Sequence, residues 1–223
     1  MTGHAAGAGA ELPPAGSALF ETIARQLEDQ GYAVMEDALP RALGAGLLEY
    51  LGTVSHDEFR EARIGRGTGR WQDRSVRRDR IHWIQADHPQ GTAWLGWLDD
   101  LRRFLNRRLY LGLRSMESHF SLYHPGDYYR RHRDAFRGQA NRILSLVTYL
   151  NPDWEQDLGG ELVLYSPEPE SNDTTELVRV LPNMGTLVLF LSEEYPHEVL
   201  PAAQDRISVA AWFRRSDSPT DTP

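Results

Sequence analysis

The sequence predicts a mainly β fold, a jelly roll or another barrel, with supporting helices packed on one side. From Ser115 onward, short segments rich in β-branched and aromatic residues alternate with Gly, Pro and Asn, a texture typical of antiparallel strands. No segment of helix length lies between them, which disfavours a parallel α/β sheet. The predicted strands are HFSLYH, ILSLVTYL, GELVLY, ELVRVL, TLVLFL and RISVAAWF.

Three amphipathic helices are expected before this β region. Ser17 can cap the first and Gly31 can end it, a second follows Pro40, and a third begins at about Thr92. We expect their apolar stripes to face the core rather than a cofactor. The stripe residues are Phe20, Ile23, Ala24 and Leu27, then Leu43, Leu47, Leu48 and Leu51, and finally Trp94, Leu98, Leu101 and Leu105.

The 223 residues fit one domain, which we place at residues 17–215, with helical support over about 17–112 and a β core over about 115–215. Residues 1–16 and 216–223 are expected to be disordered tails. The N-terminus has neither a basic start nor an apolar run, and the longest apolar stretch, Leu187 to Leu191, is too short for a bilayer. We therefore expect a cytoplasmic protein with no membrane partner.

The amino-acid composition excludes several classes of site chemistry. The chain has no cysteine, which excludes disulfides, zinc-thiolate sites, iron-sulfur clusters and cysteine nucleophiles. It has no lysine either, which excludes Schiff-base chemistry and a lysine-dependent phosphate loop. The formal net charge of −8 argues against a nucleic-acid partner, because neutralising a phosphate backbone needs a basic face.

One segment departs from this acidic average. Residues 63–80, RIGRGTGRWQDRSVRRDR, hold seven Arg with three Gly and two Asp. Glycine makes such a segment flexible, and the arginine fork suits carboxylates and backbone carbonyls. Composition alone leaves two interpretations open, a solvated charged loop and a loop that grips a substrate.

Three residues have the types and the order of a metal site. His132 and Asp134 form an H-x-D unit whose side chains would share one face of a strand, and His197 follows where a later strand ends. Two histidines and one carboxylate occupy one face of an octahedral ion and leave three positions open, as in non-heme Fe(II) oxygenases. Each motif alone is weak, since a surface ion pair or a satisfied polar histidine is the common alternative.

Arg206 starts the strand RISVAAWF, nine residues after His197. A buried arginine among apolar residues is costly without an anion, and a bidentate carboxylate is its natural partner. The alternative is an ordinary cation bonded to Asp205 or Glu198. The order H-x-D, a long β segment, His and then Arg favours the carboxylate anchor.

That order resembles the 2-oxoglutarate oxygenase superfamily, and further motifs are similar to its prolyl-4-hydroxylase branch, closest to the hypoxia-sensing type and its bacterial relatives. The shared motifs are Tyr123 with the Pro125-Gly126 turn, YLNPDW from Tyr149, GGEL from Gly159, PHEV from Pro196, Trp212, and VRRDRIHWI upstream. The resemblance covers about Gly31 to Arg215. It implies a double-stranded β-helix, a jelly roll, and Fe(II), 2-oxoglutarate and O2 as cofactor and co-substrates, with ascorbate supporting activity.

The resemblance also implies residue roles. Tyr149 would hydrogen-bond the distal carboxylate of 2-oxoglutarate beside Arg206, and Tyr123 would line the pocket near the iron. Tyr129 and Trp212 would border the substrate. The segment from Arg66 to Arg78 would be a loop that closes over a peptide; the arginines expected to contact substrate there are Arg66, Arg70, Arg74 and Arg78.

The implied reaction is 4-hydroxylation of a prolyl residue in a protein. Resemblance to the bacterial relatives suggests elongation factor Tu, which delivers aminoacyl-tRNA, as the partner. Hydroxylation of another protein residue, including a ribosomal-protein proline, or of a free amino acid is the alternative within catalysis. A jelly-roll metal-binding module without turnover is the alternative from a different class, and Arg206 with Tyr149 argues against it, because a metal holder has no use for a carboxylate anchor.

Overall fold

The computed structural model describes residues 17–62, 75–135, 141–167 and 175–216. Its three α-helices are α1 (Ser17–Gln30), α2 (Arg41–Thr53) and α3 (Pro89–Leu109). The strands within these ranges are β1 (Tyr32–Met35), β2 (Arg60–Glu61), β3 (Arg80–Trp83), β4 (Ser115–Tyr123), β5 (Tyr129–His132), β6 (Arg142–Tyr149), β7 (Leu162–Tyr165), β8 (Glu176–Val180), β9 (Leu187–Leu191), β10 (His197–Val199) and β11 (Arg206–Arg214). The predicted tail at 1–16, and residues 217–223 of the tail predicted at 216–223, lie outside the described residues.

Two antiparallel sheets form the β core. The larger has seven strands in the order β1-β9-β6-β11-β4-β3-β2, and the smaller has four in the order β5-β10-β7-β8. At the centre of the larger sheet, β11 pairs with β4 from Arg206↔Tyr123 to Arg214↔Ser115, and with β6 on its other side. Helices lie on one side of this sheet and the smaller sheet on the other, which confirms the predicted double-stranded β-helix with supporting helices.

The alternation of side chains along each central strand separates two apolar layers. On β6, Leu144 and Leu146 join the cluster formed with the helices, whereas Val147 and Tyr149 join the cluster between the two sheets. The helix-facing cluster includes the stripes of α1 and α3. The layer between the sheets is smaller and richer in tyrosine, so it is the part of the core that can accommodate polar chemistry.

All three predicted helices are present, but one predicted buried residue and one predicted helix start are wrong. α1 buries the four predicted residues and ends before Gly31, whose φ is +75°. In α2 the expected core residue Leu48 is exposed, and Tyr50 is buried instead, because Tyr50 stacks on His88 at the start of α3. α3 buries its predicted stripe but begins at Pro89, three residues before Thr92.

The six predicted strands are all present as β4, β6, β7, β8, β9 and β11, and the edge strands β1, β2 and β3 were not predicted. β1 has four residues and adds to the edge of the large sheet beside β9, while β2 and β3 extend its other edge beyond β4. Such strands receive their hydrogen bonds from a partner distant in sequence, so their own residues carry little local signal. Within the described residues no helix is long and apolar enough to cross a membrane.

Asn151, two residues after the end of β6, joins three segments by hydrogen bonds. Its amide nitrogen donates to the carbonyls of Pro182 at 2.8 Å and Ile207 at 2.9 Å, and its amide oxygen accepts from the Ile207 backbone at 2.7 Å. The side chain is buried. Asn151 thereby holds the start of β11, which carries Arg206, against the end of β6 and the connection before β9.

Replacing Asn151 by Ala should lower the free energy of unfolding by about 2–4 kcal/mol, because three hydrogen bonds are lost and buried backbone groups are left without partners. Denaturant unfolding followed by circular dichroism would measure this change. Asn151→Asp should be destabilised at least as much, since a carboxylate would then face two carbonyl oxygens. A loss below about 0.5 kcal/mol, the level of a neutral surface substitution, would show that these bonds do not hold the strand ends together.

His119 lies on the inner face of β4, packed between indoles. Its ring centroid is 5.1 Å from that of Trp83 and 5.1 Å from that of Trp212. Burial, followed by repulsion from Arg77, lowers the pKa of His119 to about 4. In the unfolded chain the pKa of a histidine is near 6.5. As the pH falls from about 6.5 to 4, His119 therefore takes up a proton in the unfolded chain but not in the folded chain.

The consequence is a specific loss of stability in acid. From pH 7 to pH 4.5 the parent chain should lose about 2–3 kcal/mol of unfolding free energy more than His119→Gln, which has no proton to bind. Denaturant unfolding of both proteins at the two pH values isolates this difference, because the other titrating groups are shared. Equal losses in the two proteins would mean that His119 is not held neutral by the fold.

Candidate metal centre and its carboxylate pocket

His132, Asp134 and His197 meet at one place between the two sheets. One ligand atom from each lies within 4.8 Å of the others. His132 Nε2 is 3.6 Å from Asp134 Oδ1, and His197 Nε2 is 3.7 Å from Asp134 Oδ2. The pairing of β5 with β10 sets His132 opposite His197, so two ligands 65 positions apart in sequence become cross-strand neighbours.

The three predicted ligands come together, but His132 and Asp134 do not lie on one face of the same strand as expected. His132 is the last residue of β5, and Asp134 lies beyond the strand. Side-chain alternation along a strand therefore does not explain why the two approach one another. The turn after β5 brings the carboxylate back towards His132.

Hydrogen bonds at the far ring nitrogens orient both histidines. Nδ1 of His132 is 2.8 Å from the Arg130 carbonyl, and Nδ1 of His197 is 3.1 Å from the Tyr195 carbonyl. A carbonyl only accepts, so Nδ1 carries the proton in each ring and Nε2 presents its lone pair towards Asp134. This is the tautomer that a metal-binding histidine needs.

The electrostatics of the group suit a divalent cation. Burial, with repulsion from His132 adding to it, lowers the pKa of His197 to about 4, which keeps that ring neutral at pH 7. Burial by itself would raise the pKa of Asp134, but the facing His197 and His132 hold this pKa well below its usual range. Two neutral nitrogens and one carboxylate match the donor set of non-heme Fe(II), so the residues fit this ion.

Aromatic rings wall the group on two sides. The Tyr129 ring stacks on His132 with centroids 3.5 Å apart and planes 15° apart, and the Phe190 ring lies 4.5 Å from His197. Tyr129 thus borders the metal group, and the role expected for it, bordering the substrate, stays a prediction. These contacts limit rotation of both imidazoles.

Arg206 sits at the other end of the same layer and is only 1% exposed. Its Nε donates to the Gly160 carbonyl at 2.7 Å and its Nη1 donates to Ser208 Oγ at 3.2 Å. Nη2 is buried and has no hydrogen-bond partner in the described structure, and the same holds for the hydroxyl of Tyr149. The bonds to Asp205 or Glu198 considered as the alternative are absent from the contacts of the Arg206 guanidinium within the described residues.

These two unsatisfied groups belong to neighbouring side chains. The centre of the Arg206 guanidinium lies 5.1 Å from the Tyr149 ring and 5.0 Å from the Tyr123 ring. Burial raises the pKa of Tyr149 to about 12, so its hydroxyl remains a donor at neutral pH. A buried cation with an unpartnered N–H near an unpartnered O–H has the chemistry to bind an anion with two oxygens, such as a carboxylate.

The Gly159-Gly160 motif makes room for this arrangement. Gly160 has φ +75°, and a Cβ there would lie 2.9 Å from Ala202 Cβ and 3.3 Å from Arg206 Cδ. Trp154 of the YLNPDW motif donates its indole N–H to the Gly159 carbonyl at 2.9 Å. The motif therefore supports the anchor by close backbone approach.

The remaining predicted residues separate into those that the structure describes and those that it does not. Trp212 lies on the inner face of β11, six residues from Arg206, with the Arg142 guanidinium 3.9 Å from its ring centroid. Arg78 lies against the Tyr128 ring at 4.9 Å. Arg66, Arg70 and Arg74 fall outside the described residues.

A buried ion pair beside the metal group was not predicted. Arg77 donates two hydrogen bonds to Asp79, at 2.7 and 2.6 Å, and its guanidinium lies 4.3 Å from the Tyr129 ring centroid. The segment VRRDRIHWI had been noted, but adjacent arginines in a row do not reveal which one turns inward. Tertiary contact with Tyr129 decides it.

Comparisons with known proteins agree with this geometry. The family described as the 2OG-Fe(II) oxygenase superfamily matches residues 118–214. A prolyl-4-hydroxylase of Pseudomonas putida is 35% identical in sequence, with a TM-score of 0.76, covering 88% of this chain and 99% of that one. A prolyl hydroxylase from Trichoplax adhaerens, solved with a peptide fragment of hypoxia inducible factor, is 26% identical with a TM-score of 0.75, covering 90% and 91%.

Human Egl nine homolog 1 is 26% identical over 92% of this chain and 48% of its own length. The chain thus spans about half of that relative, and 52% of the mouse homolog. The metal group and the carboxylate pocket lie within or beside the matched region. The chain belongs to the 2OG-Fe(II) oxygenase superfamily and, within it, to the prolyl hydroxylases.

Proposed function

We propose that this protein is a dioxygenase that uses Fe(II), 2-oxoglutarate and O2 to hydroxylate a prolyl residue at C4 in a protein substrate. The observation that carries the proposal is the pair of unsatisfied buried donors, Arg206 Nη2 and the Tyr149 hydroxyl, in the same layer as the His132, Asp134 and His197 group. A module that only held a metal would gain nothing from a buried arginine with an unpartnered Nη2, because burying a cation without an anion is costly.

Each residue has a defined task in this proposal. His132, Asp134 and His197 hold the iron, while Arg206 and Tyr149 bind the distal carboxylate of 2-oxoglutarate and fix its orientation. When bound, the iron and 2-oxoglutarate supply the activation of O2 that oxidises an unactivated C–H bond. The stacked Tyr129 and the buried Trp212 form walls that position the substrate and keep water away.

A polypeptide substrate is supported by the relatives and by the composition around the site. The Trichoplax enzyme was solved with a peptide, and arginines suited to backbone carbonyls and carboxylates cluster at residues 63–80 and on β5. Elongation factor Tu is the proposed target, on the strength of the likeness to a bacterial prolyl-4-hydroxylase. A proline of a ribosomal protein or a free amino acid is the competing substrate. Support of turnover by ascorbate and a cytoplasmic location belong to the same proposal.

Mass spectrometry of a host-cell lysate incubated with the protein, Fe(II), 2-oxoglutarate and ascorbate tests this function. One proline of a host protein should gain a single oxygen, and the gain should vanish with His132→Ala or Asp134→Ala, since either change removes a metal ligand. The matched control is His56→Ala, which removes an exposed histidine outside the metal group and should leave the gain unchanged.

The result also identifies the target. Oxygen on elongation factor Tu would support the specific partner, and oxygen on another protein would replace it. Formation of succinate without any oxidised protein would move the search to small molecules. Oxidation that persists in both ligand variants would contradict the site.

Arg206→Ala should raise the KM for 2-oxoglutarate about 100-fold, because a buried charge-assisted pair contributes about 3 kcal/mol to binding. Tyr149→Phe, which loses only the hydroxyl, should raise the KM about tenfold. Succinate formation measured against 2-oxoglutarate concentration would report both values, with metal binding followed separately to show that the iron site is intact. An unchanged KM in Arg206→Ala would place the anchor elsewhere.

A further inference from the structure

A chain of buried hydroxyls ends on the carboxylate of the metal group. Ser145 Oγ donates to Asp134 Oδ2 at 2.6 Å, and Ser192 Oγ lies 2.8 Å from Ser145 Oγ. Ser145 is 1% exposed and Ser192 is 0% exposed. Neither serine belongs to the motifs that identify the family in this chain.

The large sheet brings these hydroxyls together. Ser145 points to the inner face of β6, and Ser192 directly follows β9, the strand that pairs with β6. The Ser192 backbone donates to the Ile143 carbonyl at 3.0 Å, which continues the pairing past the end of β9. Both serines are thus fixed by a rigid sheet, whereas Asp134 lies in the chain beyond β5 of the opposite sheet.

The direction of the hydrogen bonds follows from chemistry. A carboxylate that binds a metal is deprotonated and can only accept, so the single hydroxyl proton of Ser145 is directed to Asp134 Oδ2, 2.6 Å away. Ser145 then accepts from Ser192, whose proton points along the chain. A donor already accepting a hydrogen bond is a stronger donor, and 2.6 Å lies in the range of a charge-assisted O–H···O⁻ bond.

This bond distinguishes the two oxygens of Asp134. Oδ1 lies 3.6 Å from Nε2 of His132 and Oδ2 lies 3.7 Å from Nε2 of His197, so both oxygens face a histidine of the metal group. Within the described residues only Oδ2 also accepts a hydrogen bond from a hydroxyl, that of Ser145. A carboxylate whose rotation is blocked in this way presents one oxygen to a metal rather than two. Two-oxygen binding would take up one of the three positions that the family chemistry needs open.

We propose that Ser145, supported by Ser192, is a positioning residue that holds Asp134 as a one-oxygen metal ligand. The inference rests on the proposed function for one point, that His132, Asp134 and His197 bind a metal; it does not depend on the hydroxylation of proline. Groups that orient a metal ligand commonly change metal affinity by about 10–100-fold when removed. Ser145 should act at that scale, and Ser192 should act more weakly because it works through Ser145.

The test is titration of the purified full chain with Co(II), a metal with visible d–d absorption that responds to the number and geometry of its ligands. Ser145→Ala should weaken Co(II) binding about 10–100-fold and change the shape of the d–d spectrum. Ser192→Ala should weaken binding less than Ser145→Ala. Ser145→Thr keeps the hydroxyl and should restore both affinity and spectrum to near those of the parent.

Thr148→Val is the matched control. Thr148 lies on the same strand, is equally buried, and faces the helices; its hydroxyl has no partner in the described structure, so its removal should not alter the metal site. Circular dichroism of every variant would confirm that the fold is kept. A Co(II) affinity and spectrum of Ser145→Ala equal to those of Thr148→Val would overturn the inference, as would a Ser145→Thr protein no better than Ser145→Ala.

The two proposals fail in different ways. If the parent binds Co(II) and the serine variants behave as expected, the positioning role stands even when no protein proline is hydroxylated. If the parent hydroxylates proline and Ser145→Ala keeps the parent's affinity and spectrum, only the positioning role falls. A parent chain that bound no Co(II) would overturn both.

Discussion

The pairing of β11 between β4 and β6 is the constraint on which the site depends. It runs over nine residues on the β4 side, from Arg206 to Arg214, and places Arg206, Ser208 and Trp212 on one face by strand alternation. Six residues of strand, roughly 20 Å, separate Arg206 from Trp212. The distance between the proposed carboxylate anchor and the proposed substrate wall is therefore a property of one rigid strand, with the proposed metal ligands lying on or beside the opposite sheet.

Some buried polar groups of the protein have hydrogen-bond partners and others do not. The Asp134 carboxylate receives a hydrogen bond from Ser145, Asn151 satisfies two carbonyls and one amide, and Asp79 is paired with Arg77. Buried polar groups of this kind are ordinarily satisfied, because an unpaired one costs about 1–3 kcal/mol. Arg206 Nη2 and the Tyr149 hydroxyl are among the exceptions within the described residues, and the proposed carboxylate site rests on the proximity of these two side chains as well as on their lack of a partner.

The surroundings of the metal group also connect it to the arginine-rich segment. Arg77 bonds Asp79, covers the Tyr129 ring, and that ring stacks on His132. The described end of the segment is thus in contact with a metal ligand through one tyrosine. A smaller side chain at position 129 could not reach both Arg77 and His132.

Local sequence patterns predicted the elements with a strong period and the residue types of the ordered motif. The stripes of α1 and α3 and the strands β4, β6, β7, β8, β9 and β11 follow from the spacing of apolar residues. H-x-D followed by His indicated the residues that meet in the metal group, and the Arg that follows them predicted the carboxylate anchor. Tertiary structure alone decided the short edge strands, the burial of Tyr50 in place of Leu48, and the position of Asp134 beyond β5.

The same division applies to the residues that support the site. Nothing near Ser145 in the sequence points to Asp134, and Asn151 bonds a residue 56 positions away. Such contacts depend on which strands become neighbours, and a strand's own residues specify its faces but not its partner. Local patterns therefore revealed which residues carry the chemistry, whereas only the pairing of distant strands determined how those residues are held.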